Sequence, residues 1–336
     1  MTTPRSRASS WTSHERAQRA DDGHSRAPAR AGAERQRGGG MSGQGPEAAT
    51  LGFIGLGVMG SRMCANLIRR SNHPVVVYDP VTAAVADAAE LGAQAAASVD
   101  EVAQAADIVF LSLPSIVQVE SVCAELAAAA QKPRVVVDMS TSDVAGTRAL
   151  ATRLAENGIT LVDAPVARLR QAAEDGTLLI TVGADDEIFQ ELRPLLSCMG
   201  SDIVHAGKIG NGQVLKILNN MVLFLNMNAL AEALAIGRAA GVRPDTLFST
   251  LKLGSADSFA LRRTASATML VDEFPERAFP VEYAIKDLAL ALKLAQESDI
   301  PAAAGLQTMD LLQRTRDAGY GANYYPVMIK LVEGDA

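Results

Sequence analysis

The chain has 336 residues, 48% of them hydrophobic and 21% charged, with a net charge of −7 and an isoelectric point near 5.2. That is globular composition, with enough length for two domains that each hold a core. The acidic balance gives no general attraction to nucleic acid or anionic membranes, and no uninterrupted apolar run reaches the roughly 18 residues of a spanning helix.

Residues 1 to 48 carry almost no aliphatic bulk and hold eight arginines among the first forty positions, against the acids Glu15, Asp21, Asp22 and Glu34. Such a segment reads as disordered, without the apolar stretch of a secretory signal. Its acids and its lack of amphipathic pattern also argue against a transit peptide, and Met41 is an alternative start. Cys64, Cys123 and Cys198 lie far apart without paired spacing, so reduced thiols in a cytoplasm are expected. His14, His24, His73 and His205 are scattered, and no metal site is expected from their spacing.

From Leu51 onward, short apolar runs alternate with alanine-rich helical stretches, the pattern of a parallel sheet covered by helices. Strands are predicted at 51–55, 75–79, 107–113, 134–140, 160–165 and 178–183, with helices near 60–70, 82–91, 116–130 and 143–156. After His205 the strand signals stop. Gly207, Gly210 and Gly212 mark a join, and long apolar helices follow. The predicted fold is α/β: a Rossmann dinucleotide-binding domain over 49–209, then an all-α domain over 210–336.

The run FIGLGVMG places Gly55, Gly57 and Gly60 at GxGxxG spacing after a predicted strand and before a predicted helix. In that context the glycines permit a tight turn, a close approach to pyrophosphate and close helix packing. Asp79 ends the next strand, nineteen residues past Gly60, where a carboxylate can accept from ribose hydroxyls and repels a 2′-phosphate. NAD is therefore expected over NADP; the competing reading has Asp79 only starting a turn before Pro80.

The segment GNGQVLKILNN, residues 210–220, sets Lys216 inside an apolar helix, with Asn219 and Asn220 three and four positions on and so on the same face. From the helix alone two readings stand: an ammonium and two amides sharing one pocket, or a surface lysine whose stem covers apolar neighbours.

With the glycine loop and Lys216 together, the sequence resembles the β-hydroxyacid dehydrogenases, the 3-hydroxyisobutyrate dehydrogenase family. The resemblance spans Leu51 to Lys330 and is carried by GFIGLGVMG (52–60), Leu113-Pro114, DMST (138–141), DAPV (163–166), GTL (176–178), GNGQVLKILNN (210–220) and KDL (286–288). It implies that the loop of Gly55, Leu56, Gly57, Val58, Met59 and Gly60 holds the cofactor, with Val58 and Met59 at the pyrophosphate. Asp79 would lie at the ribose, and Leu113, Pro114 and Thr141 near the nicotinamide. It makes Lys216 the catalytic lysine, Asn219 and Asn220 the substrate-positioning amides, and Lys286 a lysine near cofactor and substrate. For Lys286 an ion pair with Asp287 is the alternative.

The sequence departs from many members after DAPV, where Ala167, Arg168 and Leu169 replace a Ser-Gly-Gly trio. It is most similar there to the sulfolactaldehyde reductase-like branch, which implies that Arg168 binds an anionic head group. Pairing with Asp175 or Glu174 is the alternative for Arg168, and Arg170 is expected to face solvent. Leu223, two turns beyond Lys216, stands where that branch has a small polar residue, so a bulkier or less polar substrate portion is expected there.

The expected activity is the NAD-dependent interconversion of a small anionic 3-hydroxy acid, or hydroxy sulfonate, and its semialdehyde, with Lys216 as general acid and base. Two other readings are an imine reductase, against which Lys216 argues, and a non-catalytic nucleic-acid scaffold using the arginine-rich tail. No membrane or nucleic-acid partner is expected. The helix over 213–240 is hydrophobic on most of its circumference, which predicts a homodimer or homotetramer.

Overall fold

A computed structural model describes residues 49–276 and 278–334. The expectations for residues 1 to 48, Met41 among them, lie outside the described residues.

The predicted apolar runs form β1 (Leu51–Ile54) and β2 (Val75–Tyr78), then β3 (Gln94–Ala95), β4 (Ile108–Leu111), β5 (Val135–Asp138) and β6 (Thr160–Asp163). These six are parallel in the order β3-β2-β1-β4-β5-β6, with Leu51 opposite both Val75 and Ile108. β1, β4 and β5 are buried along their whole length. They read as unbroken apolar runs because helices cover both faces of the sheet. Those helices are α1 (Gly60–Arg70), α2 (Thr82–Glu90), α3 (Val99–Ala105), α4 (Ile116–Ala128) and α5 (Val144–Ala155). β1 thus puts Phe53 and Leu51 into one core, with Met63 and Leu67 of α1, and Ile54 into the other, with Leu126 of α4 and Leu150 of α5.

The chain then turns back through β7 (Val166–Ala167), α6 (Arg170–Asp175), β8 (Leu178–Gly183), α7 (Asp186–Leu196) and β9 (Gly200–Gly207). β8 runs antiparallel to β6 and β7 and parallel to β9, so the sheet has nine strands among the described residues.

Past Gly210 the structure is helical: α8 (Asn211–Ala239), α9 (Pro244–Leu253), a π-helical turn Ala260–Ala265 running into α10 (Ser266–Thr268), then α11 (Val281–Glu297), α12 (Ala303–Thr315) and α13 (Ile329–Glu333). α8, 29 residues long, is the axis of this half, burying Ile217, Phe224, Met227, Ala231 and Leu234 in a core shared with Phe248, Leu288, Leu312 and Tyr325. Each of the larger aliphatic and phenylalanine side chains among them contributes about 1.5–3 kcal/mol on burial. By length and composition α8 could cross a membrane, although Lys216 and its asparagines break the apolar run. Here it is the central helix of a core. The sheet and the helices belong to one compact unit, Glu47–Ala336.

Candidate active site

The β1–α1 turn is shaped by its glycines. Gly55 has φ +95°, and a Cβ on Gly60 would lie 2.0 Å from the Gly55 carbonyl oxygen, so both positions exclude a side chain. At Gly57 nothing lies within 4 Å of the Cβ position, and Val58 beside it is 55% exposed. The N-terminus of α1 has no side-chain cap and no acid in its first turn. The Ser61 N–H is taken by the Gly57 carbonyl at 3.0 Å, and the absence of a side-chain cap or acid leaves this helix start open to an anion, which fits a pyrophosphate. Leu56 is buried and donates its N–H to Asp79 Oδ2 at 2.7 Å, while Asp79 Oδ1 accepts from Val81 N at 2.8 Å. The Asp79 carboxylate therefore starts the turn after Pro80 and also braces the glycine loop, with lone pairs remaining for a ribose.

Leu113 donates its N–H to Ser140 Oγ at 2.9 Å, next to the exposed Pro114 and the half-buried Thr141. All these residues follow the C-terminal ends of β1, β2, β4 and β5. The strand order reverses between β1 and β4, and ligands of open α/β sheets bind at such a point.

Lys216 lines a cavity of about 390 Å³ together with Asn219, Asn220, Leu223 and Asn226 of α8. Its Nζ donates to Asn220 Oδ1 at 3.2 Å, and Asn219 Nδ2 donates to the same oxygen at 3.2 Å. Asn220 Nδ2 donates in turn to Asp287 Oδ2 at 2.7 Å. Part of the Lys216 surface remains open toward the cavity, while protein crowds the ammonium. Burial lowers its pKa below the ordinary lysine value; the Asp287 charge opposes that fall and the Lys286 charge adds to it. The surface-lysine reading therefore gives way to a shared polar cluster.

A second cluster fixes the start of α8. Asp163, fully buried at the end of β6, accepts from Gly210 N at 2.6 Å and from Gln213 N at 2.7 Å. It supplies from the sheet the cap that Gly210, with φ +87°, cannot supply itself. A Cβ on Gly212 would lie 2.4 Å from the Thr181 carbonyl oxygen and 2.8 Å from Asp163 Oδ2, which explains the glycine at that join. The Gln213 side chain accepts from Ser142 N at 3.0 Å and donates to the Ser140 carbonyl at 2.8 Å. Asp138 accepts from Ser140 N and Ser142 Oγ, each at 2.9 Å. Burial pushes the Asp138 and Asp163 carboxyls up to about 6. Lys216 sits one turn past Gln213, so these bonds fix its distance from the strand ends. Asp163 and Asp138 stand inside the DAPV and DMST motifs, and their acids in otherwise apolar strands were the available signal.

Arg168 lines the same cavity, with a left-handed φ of +84° that is unusual for a side-chain-bearing residue. Its guanidinium pairs with Asp202 at 2.8 Å and donates to Ser201 Oγ at 3.1 Å. The acid paired with it is thus Asp202 of β9, not the Asp175 or Glu174 of the alternative reading. Arg170 is exposed. Lys286 lies 3.1 Å from Asp287 Oδ1 and 5.9 Å from the Tyr283 ring centre, so its ion pair with Asp287 is formed. Cys64 and Cys123 are buried thiols pushed up to about 12 by burial, which leaves them protonated and unreactive.

Comparison with known proteins agrees with this geometry. Residues 50–207 match the NAD binding domain of 6-phosphogluconate dehydrogenase, and residues 210–332 match the NAD-binding domain of NADP-dependent 3-hydroxyisobutyrate dehydrogenase. The chain is 36% identical over 286 residues to a 2-(hydroxymethyl)glutarate dehydrogenase of Eubacterium barkeri, covering 84% of this chain and 94% of that protein. It is 36% identical over 295 residues to a 3-hydroxyisobutyrate dehydrogenase of Pseudomonas aeruginosa, covering 84% and 98% respectively. A Mycobacterium tuberculosis 3-hydroxyisobutyrate dehydrogenase, solved with L-serine, superposes with a TM-score of 0.79 at 28% identity, over 85% of this chain and 99% of that one. Glycine loop, buried lysine, asparagine pair and two-part fold together carry the conclusion that this chain belongs to the β-hydroxyacid dehydrogenase family.

Proposed function

We propose that the protein is an NAD-dependent dehydrogenase that interconverts a small 3-hydroxy acid, carrying a carboxylate or sulfonate, and its semialdehyde. The observation that carries this reading is Lys216, an amine of lowered pKa in a cavity, hydrogen-bonded to a neutral amide rather than neutralised by a carboxylate. A buried amine in that state gives up its proton more readily than an exposed lysine does, as a general base must. A nicotinamide held through the glycine loop would supply the acceptor for the hydride of the carbinol carbon. Lys216 Nζ takes the hydroxyl proton as the C=O bond forms, and returns it to the developing alkoxide in the reverse direction. Asn219 and Asn220 orient the substrate without adding charge. The glycine loop and the α1 N-terminus would hold the pyrophosphate, and Asp79 the adenosine ribose. In this reading the two domains divide the work at the 209/210 join, with the Rossmann part holding cofactor and the helical part supplying Lys216.

Arg168 is assigned to the substrate anion. Its guanidinium is held by Asp202 without substrate, so binding exchanges one anion for another on the same planar fork. Lys286 is assigned to the neighbourhood of cofactor and substrate through Asp287. The relatives named above are dehydrogenases of hydroxy acids, which supports this reading over an imine reductase or a nucleic-acid scaffold. The test is the rate of NAD reduction with 3-hydroxypropionate, 3-hydroxyisobutyrate, 2-(hydroxymethyl)glutarate, L-serine and 2,3-dihydroxypropane-1-sulfonate. Oxidation of at least one, with kcat/KM for NAD above that for NADP, is expected. No oxidation with either cofactor overturns the activity, and preference for NADP overturns the role of Asp79.

A further inference from the structure

The cavity extends well past the reacting group. From Lys216, Leu223 lies about 10 Å and Asn226 about 15 Å further along α8, at 1.5 Å per residue. The apolar lining includes Leu223, Phe259, Ala260, Phe279, Tyr324 and Tyr325, and Phe279 and Tyr325 pack on Phe224, next to Leu223 on α8. Phe279 and Tyr325 meet each other edge to face with ring centres 5.8 Å apart. The wall is therefore preformed. At about 30 Å³ per water-sized group, 390 Å³ holds on the order of a dozen non-hydrogen atoms, more than a four-carbon acid fills.

The charges of the lining are few. Among the described residues only Lys216 and Arg168 bring charge to the cavity, and the Arg168 charge is matched by Asp202. Lys216 is committed to the hydroxyl. One carboxylate can be matched by exchange at Arg168, but a second, placed against the aromatic wall, would be desolvated without a partner. The other polar groups of the lining are neutral: Asn219, Asn220, Asn226 and Thr264, with Tyr324 and Tyr325, whose phenols burial keeps protonated.

On the dehydrogenase reading given above, we propose that this enzyme prefers 3-hydroxy acids of the form HOCH2–CHR–COO⁻ in which R is an uncharged apolar group of several carbons, seated against Leu223, Phe279 and Tyr325. Each methylene buried there raises kcat/KM about fourfold.

The test compares R as methyl, n-butyl and 2-carboxyethyl, the last two of similar length and opposite polarity. Expected are a kcat/KM at least about tenfold higher for n-butyl than for methyl, and at least about tenfold lower for 2-carboxyethyl than for n-butyl. In Leu223→Asn the n-butyl to methyl ratio falls at least about threefold, a ratio taken within one protein and so independent of folding yield. A flat series, or 2-carboxyethyl equal to or better than n-butyl, overturns the proposal. Calorimetric titration with the non-reacting acids 2-methylpropanoate, 2-methylhexanoate and 2-methylpentanedioate separates binding from turnover. If no hydroxy acid is oxidised but 2-methylhexanoate binds tightest, the dehydrogenase reading fails and the apolar subsite stands. Tightest binding of the dicarboxylate removes the subsite.

Discussion

In the proposed mechanism Lys216 is the residue on which the chemistry turns, and Asp287 is the residue that tunes it. Burial favours the neutral amine, while the Asp287 carboxylate, linked through Asn220, favours the ammonium. Asp287→Asn removes the opposing influence and lowers the lysine pKa further. Alcohol oxidation uses the neutral amine, so its rate rises with pH through that pKa. In the variant the rising limb of log kcat/KM against pH moves to lower pH. An unmoved limb, with kcat alone reduced, would leave Asp287 a purely structural role. Asp287 is visible in the sequence only as the acid after Lys286. Its partner Asn220 lies 67 positions away, a pairing that no local pattern could reveal.

At the scale of elements, the join between β6 and α8 decides where Lys216 stands. Asp163→Ala leaves the buried N–H groups of Gly210 and Gln213 without their acceptor, at about 1–3 kcal/mol each. A fall in denaturation midpoint together with a lower kcat is expected, read by urea unfolding and steady-state rates. Unchanged kcat would show that α8 keeps its place without this tie. The same pair of carboxyls sets a pH dependence. Asp138 and Asp163 rise from the ordinary 3.8 to about 6, so the folded chain binds more protons than the unfolded one between about pH 4 and pH 6. Their effect is to make stability fall as pH rises through that window and to level off above it. Thermal unfolding of wild type and Asp163→Asn across pH 4–8 checks this, with a shallower fall expected for the variant.

The elements themselves were legible in uneven measure. β1, β2, β4, β5, β6 and β8 stand out as apolar runs because both of their faces are covered. β3 and β7, two residues each, are too short to show a period. β9 is half-exposed and carries Asp202 and His205, so it does not resemble a buried strand. α7 holds Pro194 and α3 has only seven residues, which hides their helical pattern. In the site, the glycine loop and the face shared by Lys216 and Asn220 follow from local spacing. The Arg168–Asp202 pair and the Asp163 cap come from residues 34 and 47 or more positions apart, brought together only by the fold.

At the scale of the whole molecule, α8 and its neighbours leave apolar surface uncovered away from the cavity: Ile236 is 68% exposed and Leu253 91%. We propose that a second copy of the chain covers this surface. Light scattering at micromolar concentration is expected to give a dimer or tetramer mass, and a single monomer mass would contradict it.

Proton transfer by the buried amine of Lys216 is the step on which the proposed mechanism stands. Its most direct measurement is kcat for the best-oxidised 3-hydroxy acid in wild type and Lys216→Ala, with NADH binding followed by fluorescence in both. Expected is a kcat lower by roughly 10²–10⁴ in the variant, with NADH affinity retained. A variant that keeps kcat within a few-fold of wild type while binding NADH normally would contradict the assignment of Lys216 and the mechanism built on it.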